Sequence, residues 1–332
     1  MRNRTSDMGG NGTLLLAGCM FVALALLAFL QGPLPPATAQ TGICLPPPQQ
    51  WPLTPWGSFL LNGMAVILSA LLCVTLNRRF NFIPDTSVIF AVVLLVSACA
   101  VPALLTRLNS SSLLLLANVL SLQLLFGQYD RSKVSVTPIF LIGTIFSIGS
   151  MFHYSFLFFI VIYGCAAAVL KTFGLRGFPA LLLGMVAPYW IVLGLGIVPL
   201  SALRVPVAGV IWQASLPGSE MIWVIAATAL TAFAGLMMAL RNAVSMRTAP
   251  TAIRAFNTAL TLPALCCLLL SLIDWENFTV YFLSICLFTG FEAGYLNAFE
   301  RKKYNTVIFW CFALFAIFVN LTSIYQWIDL SR

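Results

Sequence analysis

Eleven apolar runs of 16 to 23 residues succeed one another along this chain, and no other feature constrains its fold so strongly. They occupy residues 13–30, 57–76, 87–106, 108–126, 137–152, 154–170, 178–200, 221–240, 258–273, 278–298 and 306–327. A helix needs roughly 20 apolar residues to cross a hydrocarbon core of about 30 Å. The remainder is too poor in charge to coat a water-soluble globule. Only 8% of the 332 residues are charged and 61% are apolar, whereas soluble domains carry about 25% charged residues. That balance excludes a soluble enzyme, a nucleic-acid binder and a disordered tail. The expected fold class is all-α, a polytopic transmembrane helix bundle of about 11 spans. Residues 1–332 then form a single integral membrane domain, with 1–56 as first span plus a proline-rich outer loop and 57–332 as the main bundle.

The net charge of +8 is a mark of sidedness once its placement is seen. Cytoplasmic loops of membrane proteins carry an excess of Lys and Arg. With the N-terminus inside and the C-terminus outside, the inner segments hold Arg2, Arg4, Arg78, Arg79, Arg131, Lys133, Lys171, Arg176, Arg241, Arg247, Arg254, Arg301, Lys302 and Lys303, which is 14 of 17 basic residues. Only Arg107, Arg204 and Arg332 fall outside. Trp51, Trp56, Trp212, Trp223, Trp275 and Trp327 fall near the outer boundary, where an indole keeps its N–H wet. The expected location is a bacterial inner membrane, with the lipid bilayer as partner and no nucleic acid. Arg2, Arg4, the first apolar run and Ala37-Thr38-Ala39 also resemble a signal peptide. The run is long for such a segment, so an uncleaved first span is expected; cleavage after Ala39 would leave ten spans and the same later orientation.

The links between runs are plain. The outer loop at 31–56 has no charge and holds eight of the 18 prolines, so it should be extended and stiff. The outer segment 201–220 is expected to lie partly in the interface. Arg241, Arg247 and Arg254 recur at two-turn spacing, which suits a short basic helix on anionic headgroups. Eight of nine cysteines sit in apolar runs and no C-x-x-C occurs, so no metal, cofactor or disulfide framework is expected.

Chemistry is expected at a few polar residues. Runs 137–152 and 154–170 are short, so the tip between them should lie in the outer leaflet or on the floor of an outward cavity. His153, the only histidine, sits at that tip beside Tyr154 and Ser155, as an interfacial residue or as a substrate contact. Arg107 and Arg204 would anchor to lipid phosphate or bind the pyrophosphate of a lipid-linked sugar. Asp274 and Glu276 flank Trp275, either as a solvated turn or as a catalytic carboxylate pair serving as general base or cation ligand. Glu292 is the carboxylate deepest in a span, with Gly290 and Gly294 four residues apart around it. It either snorkels toward Arg301 or couples a proton or ion to transport. Pro188 and Pro263 should kink their helices.

The segments Phe140-Leu141-Ile142-Gly143, Ser147-Ile148-Gly149-Ser150-Met151-Phe152, Leu170-Lys171-Thr172-Phe173 with Arg176, and Leu183-Gly184-Met185-Val186-Ala187-Pro188-Tyr189, with Arg301-Lys302-Lys303 before the last run, resemble a Bacteroidetes family of polytopic inner-membrane proteins of unknown function. The resemblance covers residues 77–332 and implies a membrane protein without a defined activity. A looser similarity runs to membrane-embedded transferases and polymerases of polyprenyl-linked sugars, many of which carry an acidic catalytic residue in the first outer loop. Residues 31–56 hold no Asp or Glu. Three functions stay open: handling of lipid-linked glycan in envelope assembly, transport or flipping of a small solute or lipid, and a non-catalytic role in an envelope complex.

Overall fold

The structure is a computed structural model, and it describes residues 10–31, 42–83, 88–129, 135–204, 219–299 and 303–325. Within them the chain is all-helical, with eleven α-helices. These are α1 (Asn11–Gln31), α2 (Pro55–Phe80), α3 (Ile89–Ala98), α4 (Ser110–Phe126), α5 (Thr137–Phe152), α6 (Phe156–Val169), α7 (Gly177–Gly194), α8 (Ser219–Ser245), α9 (Thr251–Ile273), α10 (Phe278–Phe299) and α11 (Lys303–Tyr325). Six helices are long and apolar enough to cross a membrane. Large apolar side chains stand on the outside of the bundle, Leu60, Met64, Val161, Trp190, Phe233 and Leu269 among them. That exposure suits contact with lipid and not with water.

Local chemistry sets the ends of several helices. Thr54 caps α2, its Oγ1 accepting from the Gly57 N–H at 3.1 Å, with Pro55 opening the first turn. Asn81 closes α2 in the left-handed region at φ 46°. Asn109 caps α4 through the Ser112 N–H at 3.0 Å.

Contacts between helices fix their directions. Ser147 Oγ donates to the Met185 carbonyl at 2.5 Å and Ser150 Oγ meets Tyr189 Oη at 2.6 Å, so α5 and α7 run parallel. They cross where neither backbone carries a side chain. A Cβ on Gly143 would meet the Leu181 carbonyl at 2.6 Å, and one on Gly184 would land on the Phe140 carbonyl. Parallel α5 and α7 put the α5–α6 turn and the end of α7 at one end of the bundle, here termed the hairpin end. Arg78, Arg79, Lys171, Arg176, Arg247 and Arg254 lie at or near the opposite, basic end.

α10 and α3 form the centre. Every residue of α3 is buried, and α10 is buried along most of its length. α3 approaches α10 over Gly290, where a Cβ would sit 2.5 Å from the Phe90 carbonyl. At the basic end Phe82, Phe126, Phe256, Phe291 and Tyr295 close the core edge to face.

Four expectations need correction. Residues 87–106 are not one span: α3 has 10 residues, about 15 Å, and gives way to a 3-10 turn at Pro102–Leu104. Pro102 cannot continue the helix. The irregular backbone is buried in protein, as such backbone must be at membrane depth, and Asn320 Nδ2 from α11 donates to the Cys99 carbonyl at 2.6 Å. α7 stops at Gly194, short of the run to residue 200. The basic stretch is not a separate helix: Arg241 lies in α8, Arg247 in a turn and Arg254 in the first turn of α9, because Pro250 breaks the chain between them. The first outer loop is not simply extended, since Pro48–Gln50 form a 3-10 turn. Pro188 and Pro263 lie inside α7 and α9. Arg2, Arg4, Ala37–Ala39, Arg131, Lys133, Trp212, Arg301, Lys302, Trp327, Arg332 and most of 201–220 lie outside the described residues.

Candidate functional site

Two buried carboxylates, one at each end of α10, organise most of the polar chemistry. The first is Asp274, which ends α9 and is 0% exposed. Its Oδ1 accepts from Tyr154 Oη at 2.6 Å and from Asn277 Nδ2 at 3.0 Å. Its Oδ2 accepts from Tyr281 Oη at 3.0 Å and from Ser155 Oγ at 3.4 Å. Asn277 Nδ2 also donates to Tyr154 Oη at 3.0 Å. The cluster therefore ties the α5–α6 turn to the α9–α10 turn. His153 N–H closes the end of α5 on the Gly149 carbonyl, and its ring stacks on Tyr154 at 5.1 Å. The ring is fully buried, its Nδ1 accepting from the Ser155 N–H at 3.4 Å while Nε2 and Asn277 Oδ1 make no hydrogen bond. Burial holds the imidazole down to about 4, against the opposing pull of Asp274 and Asn277.

A lid covers this end. The N–H groups of Ile43, Cys44 and Leu45 donate to the Ser150 and Met151 carbonyls, satisfying the last turn of α5. A side chain at Gly42 would collide with the Met151 carbonyl, so only glycine allows that approach. Trp51 packs edge to face on Phe152 at 5.0 Å, and the Arg204 N–H donates to the Ile43 carbonyl at 2.8 Å.

The structure thus gathers His153, Tyr154 and Asp274 in one cluster. Glu276 is exposed beside buried Asp274, so the two acids do not share one environment. Arg204 is exposed at the same end. Arg107 is half-buried on the approach to α4, next to the Leu108 N–H that donates to Ser58 Oγ at 2.9 Å. Asn277 and Tyr281 were missing from the sequence reading, although both follow Asp274 at spacings of three and seven, one side of a helix.

The second carboxylate is Glu292, 2% exposed. It does not reach along its own helix. Its Oε2 accepts from Asn242 Nδ2 of α8 at 2.7 Å, and the same amide donates to the Glu292 carbonyl at 2.9 Å. Its Oε1 lies 2.8 Å from Thr261 Oγ1 of α9. Thr261 Oγ1 is also 2.9 Å from the Asn257 carbonyl. Asn242 Oδ1, Asn257 Oδ1 and Tyr295 Oη around this junction make no hydrogen bond. A cavity of about 20 Å³, lined by Thr261, Thr289 and Glu292, lies in the α8–α9–α10 seam. It has room for one water molecule. A larger cavity of about 360 Å³ opens between α3, α8, α10 and α11. Asn242 and Thr261 were also missed, since a polar residue inside an apolar run shows no partner until the helices pack.

Comparison with protein-family models, with curated proteins and with solved structures finds no match.

Proposed function

We propose that this protein is a multi-pass carrier of the bacterial inner membrane, in which Glu292 takes up and releases the coupling proton. The supporting observation is a carboxylate buried at the α8–α9–α10 junction and bonded to the other two helices. Thr261 has one hydroxyl hydrogen and two acceptors within 2.9 Å, the Asn257 carbonyl and Glu292 Oε1. Its hydroxyl serves either protonation state: protonated, Glu292 donates to Thr261 Oγ1, which donates in turn to the Asn257 carbonyl; ionised, Glu292 accepts the Thr261 hydrogen. Loss of that proton leaves a charge in a site closed to bulk water, and although Thr261 Oγ1 then turns its hydrogen to Glu292, the cost of burying that charge favours opening of the α8–α9–α10 junction. A buried carboxylate that joins three helices, and can hold or release a proton there, is a means of coupling a proton to helix movement.

Eleven crossings with the N-terminus inside fit this reading, the third made by α3 together with the buried turn that follows it. The described basic clusters at helix ends gather at one end of the bundle, while Arg107 and Arg204 stand toward the other. Membership of the Bacteroidetes inner-membrane family rests on the sequence pattern alone. Handling of a polyprenyl-linked sugar at the outer, hairpin end is a second reading, favoured by Arg107 and Arg204 standing there. A catalytic Asp274 would require its cluster to open, because both of its oxygens are engaged and none of its surface is exposed.

Infrared difference spectroscopy of the full chain in nanodiscs tests the carrier reading. At neutral pH the wild type should show the carbonyl band of a protonated carboxylic acid, and Glu292→Gln should lack it. A wild-type spectrum without that band sinks the proton-coupling role.

A further inference from the structure

The 360 Å³ cavity stands on the other side of the α8–α10 contact from the proton site. Its volume is at the small end of ligand sites. Its walls are apolar, formed by Val93, Phe233, Met237, Met238, Phe309 and Phe312. Paired methionines suit a flexible apolar guest, because an unbranched thioether chain repacks easily. Among the described residues the only charged one lining it is Arg241, with the Asn297 amide and Thr289 hydroxyl as further polar groups. No carboxylate among the described residues lines it. A guanidinium has five N–H donors in a planar fork that matches carboxylate or phosphate, so one protein partner does not exhaust it.

We propose that this cavity binds an anionic amphiphile, its single acidic head on Arg241 and its one apolar chain among the methionines and phenylalanines. The assignment deepens the carrier reading and rests on it. Neighbouring residues link the two sites. On α8, Asn242 holds Glu292 while Arg241, the adjacent residue, lines the cavity. On α10, Glu292 faces the proton site while Ala293 lines the cavity. Thr289 borders both, its Oγ1 donating to the Thr231 carbonyl at 3.2 Å across the contact with Gly235. Any shift of α8 against Glu292 therefore carries Arg241 with it, which changes the grip on the acidic head.

The test is binding, so it does not depend on transport. Full-length protein in nanodiscs of zwitterionic lipid is titrated with dansylaminoundecanoate and read by dansyl fluorescence. Dodecanoate or dodecyl phosphate should displace the probe, and whichever does so better identifies the head as carboxylate or phosphate. Dodecanol, with the same chain and no charge, should compete at least tenfold less well, the loss of about one charge-assisted hydrogen bond. Arg241→Gln should weaken the probe by a similar factor, and Met238→Trp, which fills the cavity, should abolish binding. Dodecanol competing as well as the acids overturns the proposal, as does unchanged probe affinity in both variants. The competitor series needs only wild-type protein, so a variant that does not fold leaves the decision intact. Binding of the acids without proton-driven uptake in proteoliposomes would remove the carrier reading and keep the site; uptake without such binding would do the reverse.

Discussion

The two carboxylates of the α10 region are equally buried and oppositely built. Asp274 receives four donors from three segments of chain, and each of its oxygens is shared between two of them. Glu292 receives one amide and one hydroxyl, and that hydroxyl also lies within reach of the Asn257 carbonyl. Burial alone therefore does not mark a working acid. A fully satisfied carboxylate fixes two turns together, since every donor around it is stranded if it leaves. One held by two donors, of which the hydroxyl can turn to another acceptor, beside a water-sized cavity, can change state.

That contrast predicts unequal costs. Asp274→Ala should lower stability most, by about 3 kcal/mol or more, because two tyrosine hydroxyls and an amide lose their buried acceptor. Glu292→Gln, which keeps an acceptor for Asn242, should change it by less than about 1 kcal/mol. Thermal unfolding of both variants in nanodiscs measures the difference, and equal losses would break the comparison. The single hydroxyls come next. Tyr281→Phe should cost about 1 kcal/mol, whereas Thr261→Val should cost less because a water in the adjoining cavity can take over the bond to Glu292. A larger loss at Thr261 would mean that the Glu292 junction is structural too.

The smallest effect concerns pH. His153 stays neutral in the folded chain down to about 4, whereas an exposed histidine takes up its proton near 6.5. Between those values the unfolded chain binds the extra proton, so this residue's contribution falls as pH drops from 6.5 toward 4. The apparent Tm of the wild type should decline across that window more than that of His153→Phe. Parallel declines would remove the histidine as the cause.

Much of the architecture was legible because apolar length and helix breakers are local. Residues 137–152 coincide with α5, begun by Pro138 and ended at the His153 turn. The failure at 87–106 has the same origin: the run stays apolar through Val101-Pro102, and hydropathy does not register a break whose backbone is satisfied from elsewhere. Site residues divide similarly. His153, Tyr154, Asp274 and Glu292 stand out as rare groups in apolar surroundings, but which of them is locked and which is free depends on Asn277, Tyr281, Asn242 and Thr261. Those partners lie on other helices or turns, and only packing selects them.

The break after α3 has a consequence for how the chain is made. The Cys99 carbonyl sits in the middle of the bundle and takes its hydrogen bond from Asn320, 221 residues later in the last helix. A carbonyl stranded in hydrocarbon costs several kcal/mol. While the ribosome is still working, α1 to α10 can stand in the membrane with the central one unfinished; the middle of the bundle waits for α11.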